Sequence, residues 1–124
     1  MSTLAKNKND SKIANKRATD PFDRLILEQG LRAQQVLLSD KKLDSLVVLL
    51  NNGMILKVAL STYPRLKKAT QLQLNQWELI ADGIGIRWNA LDEDLSIKGL
   101  IKESALNEAL HQLQNNYKQK LSII

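Results

Sequence analysis

The stretch LVVLLNNGMILKVAL, residues 46–60, decides the fold class. Its first five residues, Leu46-Val47-Val48-Leu49-Leu50, are apolar on both faces of an extended chain, which predicts a central strand covered on two sides. Met54 to Leu60 forms a second apolar run. Asn51-Asn52-Gly53 separates the two, and Asn-Gly between apolar runs signals a hairpin because both residues accept positive φ. A hairpin over 46–60 therefore centres the fold.

On its N-terminal side, Ala33–Leu38 is β-like and Ser39-Asp40-Lys41-Lys42 is a polar turn. Further back, Asp20 suits a helix cap and Pro21 the first helical position. Phe22, Leu25 and Ile26 follow at helical spacing, Leu27 widens that face, and Gly30 is a natural stop, which predicts a short helix over 21–29. On the C-terminal side, Tyr63-Pro64-Arg65-Leu66 opens a short basic helix through Lys68. Thr70 with Gln73 fits a capping box. The helix it opens is expected to reach Ile80 and to include Trp77. Asp82-Gly83 makes a turn, and Ile84–Trp88 reads as a strand in which Gly85 leaves room for a neighbour. Leu91–Leu95 is an acidic loop or strand end. Ser96 caps a short helix with Ile97, Leu100 and Ile101, and residues 103–120 form a separate, longer helix.

These readings give an α+β fold: a small, mainly antiparallel sheet of three or four strands with the hairpin at its centre, short helices on one face and a longer C-terminal helix. The expected core is Leu46, Val48, Leu50, Met54, Leu56, Val58, Leu60, Leu66, Trp77, Ile80, Ile86, Trp88, Leu95 and Leu100. Both tryptophans read as core anchors. At 124 residues the chain has room for one domain, read over 20–102, and two extensions. The extensions are a basic, mobile arm over 1–19 and an amphipathic helix over 103–124.

Composition excludes much chemistry. With no cysteine and one histidine, a thiol nucleophile, a disulfide framework, an iron–sulfur cluster and a cysteine-rich zinc site are impossible. His111 has no second histidine or cysteine to build a triad and reads as a surface or boundary residue. Gly83-Ile84-Gly85 has no third glycine at the dinucleotide-binding position. Asp92, Glu93 and Asp94 are the one dense acidic cluster, but neighbours on an extended segment point to opposite faces, so three carboxylates do not converge on one ion. No enzyme, cofactor or metal site is expected. No apolar run reaches membrane-spanning length and no secretory signal opens the chain, so a soluble, cytoplasmic protein is expected.

The net charge is +5, and its distribution matters more than its size. Over residues 1–20, Lys6, Lys8, Lys12, Lys16 and Arg17 outweigh Asp10 and Asp20, leaving +3. Only +2 remains for the rest of the chain. Arg65, Lys67 and Lys68 form a second basic cluster, suited either to phosphates or to an acidic protein surface. Leu106, Leu110, Leu113 and Tyr117 form a heptad-like stripe that either packs back on the domain or meets another chain, a second copy included.

Residues 46–101 resemble a small bacterial family, domain of unknown function 2442. The resemblance is carried by the hairpin at 46–60, YPRLKKAT at 63–70, WELI at 77–80, GIGIRW at 83–88 and, most specifically, LDEDLSIKGLI at 91–101. It departs from the family at Arg87, where histidine is frequent, and at Asn89, where proline is frequent. The resemblance implies a small α+β domain without established enzymatic activity, whose members often stand beside small toxin-like proteins. A protein-interaction module is the function expected, antitoxin-like or an accessory subunit of a larger complex. Its candidate contact residues are Tyr63, Arg65, Lys67, Lys68, Arg87, Asp92, Glu93, Asp94 and the four stripe residues. The alternative is a nucleic-acid-associated protein that uses the arm and the Tyr63–Lys68 helix.

Overall fold

The computed structural model describes residues 20–123, with side chains over 20–117. The expected arm, with Lys6, Lys8, Lys12, Lys16 and Arg17, lies outside the described residues. The described residues divide into two units, one ending at Leu31 and the other beginning at Arg32.

In the first unit, α1 spans Pro21–Asp23 and continues as a π-helical turn over Arg24–Glu28. Asp20 caps it as expected, its Oδ1 accepting from the Phe22 amide at 2.9 Å and the Asp23 amide at 3.3 Å. The end is closed by Gly30 at φ 76°, which lets the Leu31 amide reach back to the Leu25 carbonyl at 3.0 Å.

The second unit holds two three-stranded antiparallel sheets. The first has the order β1 (Ala33–Asp40), β2 (Ser45–Leu50), β3 (Ile55–Ala59). The predicted central strand is central, and Leu46, Val48 and Leu50 are almost wholly buried. The hairpin loop is longer than a bare Asn-Gly turn. Leu50 accepts from the Gly53 amide and donates to the Met54 carbonyl, and Gly53 alone takes the left-handed conformation there, at φ 89°. In β3, Leu56 and Val58 point inward while Ile55 and Lys57 point out. In β1, two register shifts make Ala33, Val36 and Ser39 the inward residues, every third position rather than every second. Each extra residue in a bulge flips the face on which the next side chain falls.

Two short helices follow, α2 (Pro64–Lys68) and α3 (Gln71–Leu74). Lys41 caps the end of α2, its Nζ donating to the carbonyls of Lys67 and Ala69. The capping box is present in α3: Thr70 Oγ1 accepts from the Gln73 amide, and Gln73 Oε1 accepts from the Thr70 amide. The helix expected to reach Ile80 stops at Leu74, and Glu78–Ile80 form a strand, β4. Here tertiary pairing overrides the helical reading. The Leu74 carbonyl, left open at the end of α3, accepts both the Trp88 indole N–H and the Ser39 hydroxyl at 3.0 Å each. Trp88 is therefore the buried anchor, while Trp77 and Ile80 are only half-buried. Met54, placed in the core by the hairpin pattern, is exposed beside its loop.

The second sheet has the order β4, β5 (Gly85–Trp88), β6 (Glu93–Ser96), so the strands divide into two sheets rather than one. A Cβ on Gly85 would lie 3.1 Å from Ile80 Cγ1, so the glycine does leave room for its neighbour. Strand β6 runs directly into α4, Ile97–Ile123. Ser96 caps it, Oγ accepting from the Gly99 amide at 3.1 Å. The two helices expected over 96–101 and 103–120 are one continuous helix. The α+β class holds. Among the described residues no helix is long and apolar enough to cross a membrane.

Candidate functional site

Two surfaces collect the candidate residues. The first is charged. Strand pairing sets Arg87 between Glu78 on β4 and Asp94 on β6. Arg87 donates to both Asp94 carboxylate oxygens, Nε at 2.9 Å and Nη2 at 3.0 Å. That bidentate bond holds the Asp94 carboxyl below its ordinary range and raises the Arg87 guanidinium further. Asn89 donates to Glu78 at 2.9 Å. Both departures from the family pattern, Arg87 and Asn89, thus carry partners of their own.

Asp92 sits at φ 51° in the turn before β6, a conformation aspartate tolerates. Arg65, from α2, donates to the Asp92 carbonyl and lies 3.8 Å from its carboxylate and 3.9 Å from that of Glu93. The Asp92 side chain is fully solvent-exposed, so its pair with Arg65 contributes little stability. Tyr63 is half-buried, and its hydroxyl titrates above the ordinary range because of desolvation, with the Glu103 and Glu93 carboxylates adding to it. The basic α2 and the acidic LDED segment, read as separate contact surfaces in the sequence, thus meet. Asp92 and Glu93 share Arg65 while Asp94 pairs with Arg87, and among the described residues no three Asp, Glu or His side chains are grouped to hold a metal ion. Lys67 and Lys68 lie exposed on α2.

The second surface is α4. Its first turns are anchored by Ile97 and Leu100, both essentially buried. Ser104 then receives the Lys57 amide of edge strand β3 at 3.4 Å. Farther along, Asn107, Glu108 and His111 line an open groove with Ile55 and Lys57. His111 touches Asn115, one turn on, at 3.2 Å. The helix thus turns a polar face toward the sheet. At 100° per residue, Leu106, Leu110, Leu113 and Tyr117 fall about 140° around the helix from that face. They are 65, 55, 66 and 65% exposed. Of the two readings of the stripe, packing back on the domain does not occur among the described residues.

Sequence reasoning missed Glu78 and Glu103 as members of the charged surface. Glu78 was hidden by reading β4 as helix. Glu103 lay at the supposed break between two helices.

Comparison with known proteins agrees with the fold. A family model described as a protein of unknown function (DUF2442) matches residues 40–105. The crystal structure of a protein of unknown function from Rhodospirillum rubrum ATCC 11170 is 30% identical, covers 58% of this chain and 86% of its own, and has a TM-score of 0.52. The solution structure of an uncharacterized protein from Chromobacterium violaceum is 25% identical, covers 70% of this chain and 78% of its own, and has a TM-score of 0.54. No curated protein matches. The matched family segment ends within α4, before the exposed stripe begins at Leu106. With more than half of its residues matched, hairpin and LDED segment included, the chain belongs to the domain of unknown function 2442 family.

Proposed function

We propose that the chain is a non-catalytic protein-interaction module whose contact surface is the outward stripe of α4. The supporting observation is the exposed apolar row on that helix beyond its buried first turns. A helix that serves only its own domain turns its apolar face inward. Here Ser104, Asn107, Glu108 and His111 lie on the sheet side, the last three still exposed along an open groove, and three leucines and a tyrosine lie on the opposite side in water. An exposed apolar row of this kind on a folded domain marks a contact with another chain. An antitoxin-like role or that of an accessory subunit would both use such a surface. Of the nucleic-acid alternative the described residues hold only the Tyr63–Lys68 helix, where Arg65 lies beside the Asp92 and Glu93 carboxylates and Lys67 and Lys68 are exposed.

Affinity purification from the native cell tests this reading. The intact chain is compared with one carrying Leu106→Ser, Leu110→Ser and Leu113→Ser. Partners held by the intact chain and lost by the variant support it. An unchanged set of bound proteins, or bound nucleic acid released steeply by salt and indifferent to the stripe, would count against it.

A further inference from the structure

One of the five glycines follows an asparagine: Gly53, after Asn52, at the tip of the β2–β3 hairpin. Asparagine is among the chemically labile residues. Its side-chain amide is open to attack by the backbone nitrogen of the next residue, and a glycine there presents no side chain to block the approach. We propose that Asn52–Gly53 is a site of spontaneous covalent modification, at which water converts Asn52 to aspartate and isoaspartate.

The chemistry needs no other group. Hydroxide removes the Gly53 amide proton, and the nitrogen attacks Asn52 Cγ. The new N–Cγ bond closes a succinimide ring as the Cγ–Nδ2 bond breaks and ammonia leaves. Water then opens the ring. Attack at Cγ gives aspartate. Attack at the main-chain carbonyl gives isoaspartate, in which the chain runs through Cβ. The net change consumes one water and releases one ammonia.

The loop favours each step. Asn52, Gly53 and Met54 are exposed to the water that reacts. Asn52 Oδ1 accepts from the Met54 amide at 3.0 Å, which folds the side chain forward over Gly53. The oxygen that gains charge when Cγ is attacked therefore already has a donor. Among the described residues the leaving nitrogen, Nδ2, has no hydrogen-bond partner. A Cβ on Gly53 would meet nothing within 4 Å, so the ring has room to form. The remaining restraint is the Gly53 amide, which donates to the Leu50 carbonyl at 3.0 Å. That bond lies at an exposed tip and opens locally without unfolding the sheet.

Neighbouring residues lack this combination. Asn51 is followed by a larger residue and is pinned to Arg32: its amide donates to the Arg32 carbonyl at 2.8 Å, and its Oδ1 accepts from the Arg32 amide at 3.0 Å. Asp82 also precedes a glycine, but Gly83 is buried, and a Cβ there would lie 2.6 Å from the Ala33 carbonyl oxygen, which leaves a ring no room. The two products at position 52 differ in effect. Aspartate keeps an oxygen for the Met54 amide, and the turn persists. Isoaspartate adds an atom to the backbone of the turn and disturbs the register of β2 on β3 at its tip. Either product lowers the net charge by one from +5.

The test uses the full chain, held in warm, mildly alkaline buffer made with heavy-oxygen water, then digested and mapped by mass spectrometry. Fragmentation places heavy oxygen at position 52 and not at 51, in aspartate and isoaspartate forms, at a rate proportional to hydroxide. The Asp82 peptide forms no isoaspartate. Asn52→Gln, whose side chain is one carbon too long to close the same ring, stays unlabelled. Asn51→Ala removes one bond that holds the loop to Arg32 and speeds labelling at Asn52 several-fold, while its thermal melt shows a folded chain. The isoaspartate fraction melts below the unmodified chain, and the aspartate fraction melts with it. Labelling at Asn52 that appears only when urea unfolds the chain overturns the proposal, because the fold would then be guarding the site. Label spread evenly over the asparagines overturns it as well. A rate indifferent to Asn51→Ala overturns local opening as the gate, and an isoaspartate fraction that melts with the unmodified chain overturns the effect on the hairpin.

Discussion

Leu100 and Leu110 lie on one helix, ten residues apart, and truncation to alanine separates their roles. Leu100 is 1% exposed and closes the base of α4. Removing a leucine side chain from so buried a site costs about 2–5 kcal/mol, the transfer term plus the cavity left behind. Leu110 is 55% exposed. In the free chain its truncation removes little buried area and introduces the best helix former, so the change stays within about 0.5 kcal/mol. Urea unfolding followed by far-UV circular dichroism reads both. With a slope of roughly 1–3 kcal/mol per molar, Leu100→Ala lowers the midpoint by about 1 M or more, and Leu110→Ala shifts it by less than about 0.5 M. Equal losses for the two variants in the free chain would refute the reasoning, because Leu110 would then be packing against its own chain.

Other substitutions probe the elements that position these surfaces. Gly83 sits at φ 94°, and a Cβ there would lie 2.6 Å from the Ala33 carbonyl oxygen, so Gly83→Ala destabilises by at least about 1–3 kcal/mol in the same urea experiment. Thr70→Ala removes half of the capping box and costs about 1 kcal/mol, measured as a lowered melting temperature. Asp94 titrates below the ordinary aspartate value of 3.8 because Arg87 binds its charged form. Its contribution is therefore complete above the unfolded-state value and fades as pH falls through the lower folded-state value. Carboxyl chemical shifts followed against pH show that depressed midpoint, and Arg87→Ala returns it toward 3.8.

The hairpin at 46–60 was legible because alternation, a two-faced apolar strand and a turn signal agree there. Asp20, Thr70 and Ser96 were legible as caps because a cap is a local event. What the sequence concealed was long-range. Trp77 and Ile80 continue a helical spacing beyond α3, and only the pairing of Glu78–Ile80 with β5 makes 78–80 a strand. The bulges of β1 give a three-residue burial period that matches neither helix nor simple strand. On α4 the needed signal was present. Ile97 and Leu100 set the phase of the helix, and carrying that phase forward puts Ser104, Asn107 and His111 on the sheet side and the leucines opposite. Reading a break near residue 102 released the stripe from that phase and left both of its orientations open. The charged surface was half legible: all its residues but Glu78 and Glu103 were named, but the union of Arg65 with LDED depends on how α2 and β6 are brought together.

Amide hydrogen exchange along α4 tests the outward stripe most directly. In the free chain, Leu106–Tyr117 should exchange much faster than the anchored turn around Ile97–Leu100, and protection over 106–117 should rise when the chain is bound to a partner. Protection over 106–117 that already equals that of the anchored turn in the free chain, and does not change on association, would contradict a helix held ready to bind another chain.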